Sequence, residues 1–333
     1  MFAEALRELG EERGYRWEFF DEAAYTKLML DRYGIAGRIL RRGVRPAVVS
    51  ATNLGLLARA RRFRPDILLI VKGRDYWPSI LRRIKRETGA FLVNFATDDP
   101  FNGKTTSRHL LKTIPVYDLY ASPRRAVLED IRRAGCRRVA YVRFGYKPSV
   151  HYPETPGTPE EEARFACDVA FIGGADSDRA AFFEDLLGRL LKQLPGVCLA
   201  LYGGYWALYP RLRDFARGLA VGRDYRLAIS GAKVVVNLVR RANRDGHVMR
   251  TFEVPACGGF MLAERTHEHE EIFPAGSGVD FFGSVEELVE KIAFYLRNDD
   301  ARRRMARRAR ETVVFGRHTY KDRLGELVDL LSA

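Results

Sequence analysis

Short apolar runs alternate with amphipathic helical patterns along almost the whole chain of 333 residues. Short apolar runs of this kind are typical of strands that are buried on both faces of a parallel sheet. The predicted strands are residues 17–20, 67–71, 91–95, 117–121 and 139–142, then 169–172, 197–202, 234–238 and 260–263. The predicted helices include residues 53–63, 78–88, 123–134, 179–191, 248–257, 285–297 and 302–314. This order indicates an α/β fold built from βαβ units.

A chain of this length exceeds what one hydrophobic core normally supports, so two domains are expected. Residues 147–162, KPSVHYPETPGTPEEE, contain four prolines and no apolar periodicity, which predicts an interdomain linker. The predicted domains are therefore residues 1–150 and 151–317, followed by a tail helix at 318–331. The chain opens on a helical pattern at residues 2–13, so the first strand usual for such a domain is not predicted before it.

The net charge of +13 is distributed unevenly. Residues 1–150 carry 30 Lys and Arg against 16 Asp and Glu, whereas residues 151–333 carry 26 against 27. A basic first half can attract an anionic partner, although solvated arginines on helix faces would give the same count. The hydrophobic content of 47% excludes a disordered chain, and no apolar run reaches the roughly 18–20 residues of a membrane span. From the sequence we expect a cytoplasmic protein, and peripheral contact with the inner membrane face stays open.

Residue types that bind metals are present but do not form a metal-binding motif. The four cysteines include no CxxC pair and lie in or beside apolar segments, so free, buried thiols are predicted. Residues 267–271, HEHEE, contain two histidines and three glutamates without the HExxH spacing. We interpret them as a solvated acidic loop, and the sequence predicts no metal site.

The segment from Arg250 to Leu324, which begins RTFEVPACGGFMLAERTHEHEEIF, closely resembles the C-terminal domain of CgeB-like, spore-maturation-type glycosyltransferases. These are related to glycosyltransferase family 4. Upstream segments fit in the same order: PDILLIVKG, FATDDP, YDLYASP, CDVAFIGG and AKVVVNL. The resemblance implies a GT-B fold, with two Rossmann-like domains whose parallel sheets face each other across a cleft. It also implies that the tail helix returns to the first domain, which binds the acceptor, while the second domain binds a nucleotide sugar.

Two acidic residues, Asp245 and Glu253, are separated by seven residues. In the resembled group, acids at this spacing flank the donor: the second accepts hydrogen bonds from the ribose hydroxyls, and the first lies near the donor sugar. Glu253 fits the second role, because a carboxylate can accept two charge-assisted bonds from a cis-diol. Asp245 replaces the more usual glutamate. Both could instead be ordinary acids near a helix start.

Arg250 lies three residues before Glu253, where its guanidinium could bind the donor diphosphate. Arg179 follows the strand at residues 169–172 and is a second candidate for the diphosphate. Gly173 and Gly174 follow the same strand and could let the backbone approach the donor closely. The alternative is that both arginines are ordinary surface residues.

Asp98 and Asp99, in FATDDPFNGK, follow a predicted strand of the first half. With Asp245 they are the predicted catalytic residues, since an acceptor hydroxyl must lose its proton during transfer. An Asx turn before Pro100 would explain the same two aspartates.

The sequence thus predicts glycosyl transfer from a UDP- or GDP-type sugar, without metal and with retention of configuration weakly favoured by the acid spacing. The acceptor is open and includes an anionic glycan, a lipid or a protein; nucleic acid is not expected. Two alternatives remain: a non-catalytic basic binding module on the same fold, and a sugar-nucleotide epimerase or hydrolase.

Overall fold

Strands and helices alternate in the computed structural model, which describes residues 2–22, 24 and 41–332. They form two parallel sheets, as the sequence predicts for an α/β chain. By its internal contacts the chain divides into two units. Unit 1 comprises Met1–Arg143, Arg240–Asp245 and Leu324–Ala333, and unit 2 comprises Phe144–Val239 and Gly246–Arg323.

Unit 1 contains a parallel sheet of four strands in the order β1-β2-β3-β4. Its elements are α1 (Phe2–Arg13), α2 (Arg41–Phe63), β1 (Ile67–Val71), α3 (Pro78–Thr88), β2 (Phe91–Phe95), α4 (Arg108–Thr113), β3 (Leu119–Ser122), α5 (Leu128–Arg133) and β4 (Val139–Tyr141). The buried side chains of α2, α3 and α5 join those of β1 to β3 in one hydrophobic core. The helix α3 has proline at its first position and ends at Gly89, whose φ of 76° permits the left-handed turn.

Unit 2 contains a parallel sheet of five strands in the order β6-β5-β7-β8-β9. Its elements are α6 (Pro159–Phe165), β5 (Cys167–Ile172), α7 (Ser177–Gln193), β6 (Leu199–Tyr202), α8 (Arg223–Ser230), β7 (Ala232–Asn237), α9 (Arg250–Ala256), β8 (Met261–Glu264), α10 (His267–Ile272), β9 (Asp280–Phe282), α11 (Val285–Arg297) and α12 (Asp299–Phe315). The last helix, α13 (Tyr320–Ser332), begins in unit 2, and its residues from Leu324 onward belong to unit 1.

The five-stranded sheet is covered on both faces, because its strands send alternate side chains to opposite sides. Val169 and Phe171 of β5 pack with α7 and α11. Cys167, Ala170 and Ile172 of the same strand pack with α8 and α9 on the other face. Burial on both faces explains why the strands are almost continuously apolar in the sequence.

Residues 17–20, WEFF, are not a strand, so that sequence prediction is wrong. Trp17 and Phe19 are partly exposed, and the first strand of the described part of unit 1 is β1. An aromatic run of four residues satisfies the strand pattern, but it becomes a strand only where a neighbouring strand accepts its backbone hydrogen bonds.

The proline-rich segment predicted as a linker belongs to unit 2, which begins at Phe144. Arg226 holds this segment by donating to the Val150 carbonyl at 3.2 Å and to the Glu154 carboxylate at 2.9 Å. Its last part forms α6, which begins after Thr158, whose hydroxyl accepts a hydrogen bond from the Glu161 N–H. The domain boundary therefore lies earlier than the predicted position at residue 150, and the prolines shape an anchored segment.

No helix in the described ranges is both long enough and apolar enough to span a membrane.

Replacement of Leu186 by alanine tests the core of unit 2. Leu186 lies on α7 and is 0% exposed, so the truncation should leave a cavity and lower the free energy of unfolding by about 2–5 kcal/mol. The matched control is Leu191→Ala on the same helix, where the leucine is 46% exposed and the change should stay within about 0.5 kcal/mol. Urea unfolding measures both, and equal losses would contradict the assigned helix face.

Candidate functional site

The predicted donor residues lie at the carboxyl ends of β5 and β7, where the order of strands in unit 2 reverses. From β5 the chain passes to β6 on one side, and it returns to β7 on the other. Such a switch point leaves a crevice outside the strand ends, where ligands bind in open α/β sheets. Gly173 and Gly174 directly follow β5, and α9, which carries Arg250 and Glu253, follows β7.

Two glycine pairs contact each other at this edge. The Gly173 N–H donates to the Tyr202 carbonyl at 2.7 Å, and the Ala175 N–H donates to the Gly204 carbonyl at 2.9 Å. Gly203 has a φ of 134°, and a Cβ on it would lie 2.4 Å from the Gly173 carbonyl oxygen. Gly203 is therefore required for the close approach of the loops that follow β5 and β6.

Arg179 and Arg250 both lie against the ring of Phe171. Their guanidinium carbons are 5.4 Å and 5.3 Å from the ring centroid, respectively. Arg179 also donates to the Gly174 carbonyl at 2.9 Å. The Nε of Arg250 is buried and has no hydrogen-bond partner among the described residues. The aromatic ring thus gathers two positive charges beside the glycine loop, as an anionic diphosphate would require.

The N-terminus of α7 is not an open anion site in this structure. The Asp176 carboxylate caps the helix by accepting a hydrogen bond from the Arg179 N–H at 3.1 Å. The contribution of Arg179 to this edge is therefore its side chain, since an acidic cap already occupies the helix end.

Glu253 is buried, with 8% exposure, in the first turn of α9. The Tyr225 hydroxyl donates to its Oε2 at 2.8 Å. Burial raises the pKa of the Glu253 carboxyl, and the Tyr225 hydrogen bond and the Arg250 charge only partly oppose this shift. A buried carboxylate facing a crevice is a strong acceptor for ligand hydroxyls, because little water competes with them.

The second carboxylate oxygen of Glu253 faces His151. The Lys147 N–H donates to His151 Nδ1 at 3.1 Å, so the ring proton must be on Nε2, which lies 3.6 Å from Glu253 Oε1. Burial, and then the nearby positive charges of Arg226 and Lys147, lower the pKa of His151 to about 4. The imidazole is therefore neutral at physiological pH and does not form an ion pair with Glu253.

A buried chain of hydrogen bonds holds the beginning of α9. The His269 Nδ1–H donates to the Glu264 carbonyl at 2.6 Å, so His269 Nε2 must accept from the Thr251 hydroxyl at 2.9 Å. The Thr251 oxygen in turn accepts from the Val248 N–H and the Asn237 side chain. Every proton in this chain has one assigned position, which fixes Thr251 between Arg250 and Glu253.

His247 and Glu268 form a second buried pair in unit 2. The Phe144 N–H donates to His247 Nε2 at 3.1 Å, so the Nδ1–H faces the Glu268 carboxylate at 2.5 Å. Residues 267–271 were expected to form a solvated acidic loop, and this is wrong. They belong to α10, which Thr266 caps, and both Glu268 and His269 are buried there. Over the described ranges, no cluster of three or more His, Cys, Asp or Glu could hold a metal ion.

The three predicted catalytic aspartates come together in unit 1. Asp245 forms a buried ion pair with Arg124. Asp99 is also buried, and it accepts from Arg244 Nε at 2.6 Å and from the Phe101 N–H at 2.8 Å. The second bond is the Asx turn that the sequence left open. These contacts occupy oxygen atoms of Asp99 and Asp245 that a reaction would need.

Asp98 differs from the other two aspartates because 22% of its side chain is exposed. It forms an ion pair with Lys72 at 2.6 Å and accepts from the Asn243 side chain at 3.2 Å. Burial alone would raise the pKa of Asp98, but the Lys72 hydrogen bond and the Lys72 and Arg124 charges outweigh burial, and the pKa is lowered. Asp98 is thus the one of the three that can both stay ionised and contact a ligand.

Several residues of these sites carry no local signal in the sequence. Tyr225 lies on the unpredicted helix α8, and His151 lies in the segment interpreted as a linker. Phe171 reads as a core strand residue. The charged partners of the aspartates, Arg124 and Arg244, stand among the many arginines of this chain.

Replacement of Gly203 by alanine tests the contact between the two glycine loops. The new Cβ would meet backbone at 2.4 Å and would require a φ of 134°, so we expect a loss of about 1–3 kcal/mol in the free energy of unfolding. Gly204→Ala is the matched control, because nothing lies within 4 Å of its Cβ position and its φ is not in the left-handed region. Thermal unfolding distinguishes them, and equal stability of the two variants would disprove the close approach.

Comparison with known proteins gives a partial family match. Residues 179–329 match the model of a family described as glycosyl transferase-like. No curated protein matches the sequence.

Solved structures match over a longer part of the chain. Sucrose-phosphate synthase from Thermosynechococcus elongatus is 12% identical with a TM-score of 0.62, over 86% of this chain and 78% of that one. Anabaena HepE in complex with UDP-glucose is 13% identical with a TM-score of 0.61, over 85% of this chain and 82% of that one. S. aureus TarM is 12% identical with a TM-score of 0.57, over 85% of this chain and 59% of that one.

The chain has the fold of GT-B glycosyltransferase structures, as its sequence resemblance implied. The family match over residues 179–329 contains α9 and both arginines of the candidate donor site. Together, the fold and the family match support an enzyme that transfers sugars, of the general GT-B class.

Proposed function

We propose that the protein transfers a sugar from a nucleotide-sugar donor of the UDP or GDP type to a hydroxyl acceptor. The observation that carries this proposal is the arrangement on α9, where Arg250 and Glu253 lie one turn apart at the switch point of unit 2. Arg250 lies beside Gly173, with its Nη1 3.3 Å from the position of a Cβ on that glycine. A nucleoside diphosphate offers the two chemical groups that these side chains recognise, a diphosphate and a cis-diol.

In this proposal Glu253 accepts hydrogen bonds from the ribose hydroxyls, while Arg250 and Arg179 bind the diphosphate. As the glycosidic bond to the donor breaks, negative charge grows on the leaving diphosphate. Guanidinium groups that are already positioned stabilise this charge without reorganisation, which lowers the barrier. We assign this stabilisation to the two arginines and therefore propose transfer that does not depend on a metal.

The UDP type of donor is favoured by a neighbouring structure. Anabaena HepE, which shares the fold, has been solved with UDP-glucose. Family CgeB-like glycosyltransferases remain the resembled group for this proposal, together with retention of configuration. We further propose that Asp98 receives the acceptor proton, since its carboxylate is ionised and partly exposed. The acceptor itself is open and includes anionic and membrane-associated molecules.

Replacement of Glu253 by glutamine tests the ribose contact. The amide is isosteric but uncharged, so the Kd for UDP or GDP should rise about tenfold to a hundredfold, the range expected for losing a hydrogen bond to a charged group. The matched control is Glu290→Gln, which removes an exposed carboxylate from α11 and should leave the Kd unchanged. Isothermal titration measures both variants.

If the folded parent protein binds neither UDP nor GDP, the proposed donor is wrong. Product analysis with the donor alone separates the remaining activities, because an epimerase or hydrolase gives product without acceptor. A transferase gives product only when an acceptor is added.

The raised pKa of Glu253 predicts a pH dependence of nucleotide binding. As the pH falls through this raised pKa, the carboxyl becomes protonated and accepts ribose hydrogen bonds less well, so affinity should fall. The neighbouring His151, with a pKa of about 4, stays neutral over most of this range. The measurement is the Kd for UDP against pH in the parent and in Glu253→Gln, because phosphate titration affects both proteins equally. Parallel pH profiles would contradict the role of Glu253.

A further inference from the structure

A long loop connects β6 with α8 in unit 2. It comprises residues 203–222 and contains only two short 3-10 turns, Trp206–Leu208 and Arg213–Phe215. Loops longer than about 12–15 residues without regular structure are uncommon in compact domains and usually serve a function. We call this segment the 203–222 loop.

The 203–222 loop is anchored to the core at two points. Trp206 and Leu212 are buried, and the Trp206 indole N–H donates to the Gly173 carbonyl at 2.8 Å. Because these side chains fix the loop, the side chains between and beyond them have defined positions at the surface.

Four large apolar side chains of this loop are exposed to an unusual degree. Tyr205, Leu208, Leu219 and Val221 have between 70% and 73% of their surface accessible to solvent. Among the other described residues, only Phe315 is a large hydrophobic residue with comparable exposure. Single exposed hydrophobic residues are ordinary, but a group of them on one loop indicates an interaction surface.

Backbone contacts bring the two halves of this group to the same end of the loop. Leu201 and Ala216 form a parallel bridge, and the Gly203 N–H donates to the Gly218 carbonyl at 2.7 Å. The two strands of chain therefore run side by side in the same direction. Tyr205 follows the first strand and Leu219 follows the second, so both emerge beyond the same paired glycines.

The charge of the 203–222 loop is positive and is not neutralised locally. Arg211, Arg213 and Arg217 are exposed, and among the described residues none of them forms an ion pair. Asp214 is the loop's one acidic residue. In unit 1, by contrast, many arginines are paired with acids; examples are Arg45 with Asp75 and Arg61 with Glu87.

We propose that the 203–222 loop binds the surface of an anionic lipid bilayer. Leucine and valine side chains on an exposed loop can insert into the interface between headgroups and acyl chains, and tyrosine is enriched at that level. Arginines beside them attract the negative surface potential of anionic lipids. Both halves of this signature, apolar and cationic, are present within one anchored segment.

A second copy of this chain fits the same surface less well. A twofold contact would bring the loop of one copy against the loop of the other, and their unpaired arginines would approach each other. An anionic bilayer offers charge of the opposite sign instead. The proposal is independent of glycosyl transfer, although it would hold Gly173 and the rest of the donor edge near the membrane surface.

Vesicle flotation with the full chain tests the proposal. Vesicles of phosphatidylcholine with about 30 mol% phosphatidylglycerol should bind the parent protein, and binding should weaken as salt is raised. Replacing Tyr205, Leu208, Leu219 and Val221 together by serine should weaken binding at least about tenfold, since the inserted apolar groups are lost. The double variant Arg211→Gln/Arg213→Gln should weaken binding roughly thirtyfold.

The matched controls remove similar groups elsewhere in unit 2. Arg304→Gln/Arg307→Gln makes the same charge change on the exposed face of α12, and Leu191→Ser removes an exposed leucine from α7. Both controls should bind vesicles as the parent does, and unchanged thermal unfolding shows that every variant is folded.

Absence of vesicle binding by the parent would overturn the proposal, as would equal weakening by the α12 control. A parent that is dimeric in solution, that the serine variant makes monomeric, and that does not bind vesicles would show that a second copy covers the loop instead.

Discussion

The burial of one carboxylate, that of Glu253, sets what the rest of the donor edge has to supply. Removing a carboxylate from water is costly unless hydrogen bonds or opposite charges replace the water. Here the Tyr225 hydroxyl and the Arg250 guanidinium do so, yet the pKa of the carboxyl stays raised. The neutral His151 adds no charge on the other side. The site is therefore only partly satisfied without ligand, and the hydroxyls of a ribose would complete the set of donors around this carboxylate.

The position of α9 depends on buried polar groups rather than on helix propensity. This helix has seven residues and contains Pro255, so by itself it would not be stable. Thr251 ties its first turn to Asn237 at the end of β7 and to His269 on α10, and His247 ties the preceding segment to Glu268. A Cβ on Gly246 would lie 2.3 Å from the Glu268 carboxyl carbon, so the glycine between Asp245 and His247 has a packing reason. The polar residues around α9 thus convert a weak helix into a fixed support for Arg250 and Glu253.

The fold was predictable from the sequence wherever burial on both faces of a sheet imposed a clear pattern. The strands β1 and β2 and the helices α3 and α11 have the predicted bounds, and the free cysteines are confirmed. Prediction failed where tertiary contacts decide the local structure. The residues of α10 look like a charged loop because their burial depends on partners about 20 residues away, His247 and Thr251. The proline-rich segment looks like a linker because the arginine that anchors it, Arg226, lies about 70 residues further along. The sequence could identify Glu253 and Arg250 by their spacing, but it could not identify Tyr225 or His151, whose roles exist only in the folded chain.

Positive charge is used in different ways in the two units. In unit 1 the predicted catalytic aspartates are matched by Lys72, Arg124 and Arg244, so a sequence count that suggests a strong positive field overstates what a ligand would meet. Pairing of this kind orders Asp99 and Asp245 while it occupies their oxygens, and it leaves Asp98 as the accessible carboxylate. In unit 2 the total charge is nearly balanced, yet arginines at the donor edge and on the 203–222 loop lack acidic partners among the described residues. The local pairing of charges, rather than their sum over a domain, therefore decides where an anionic group can bind to this chain.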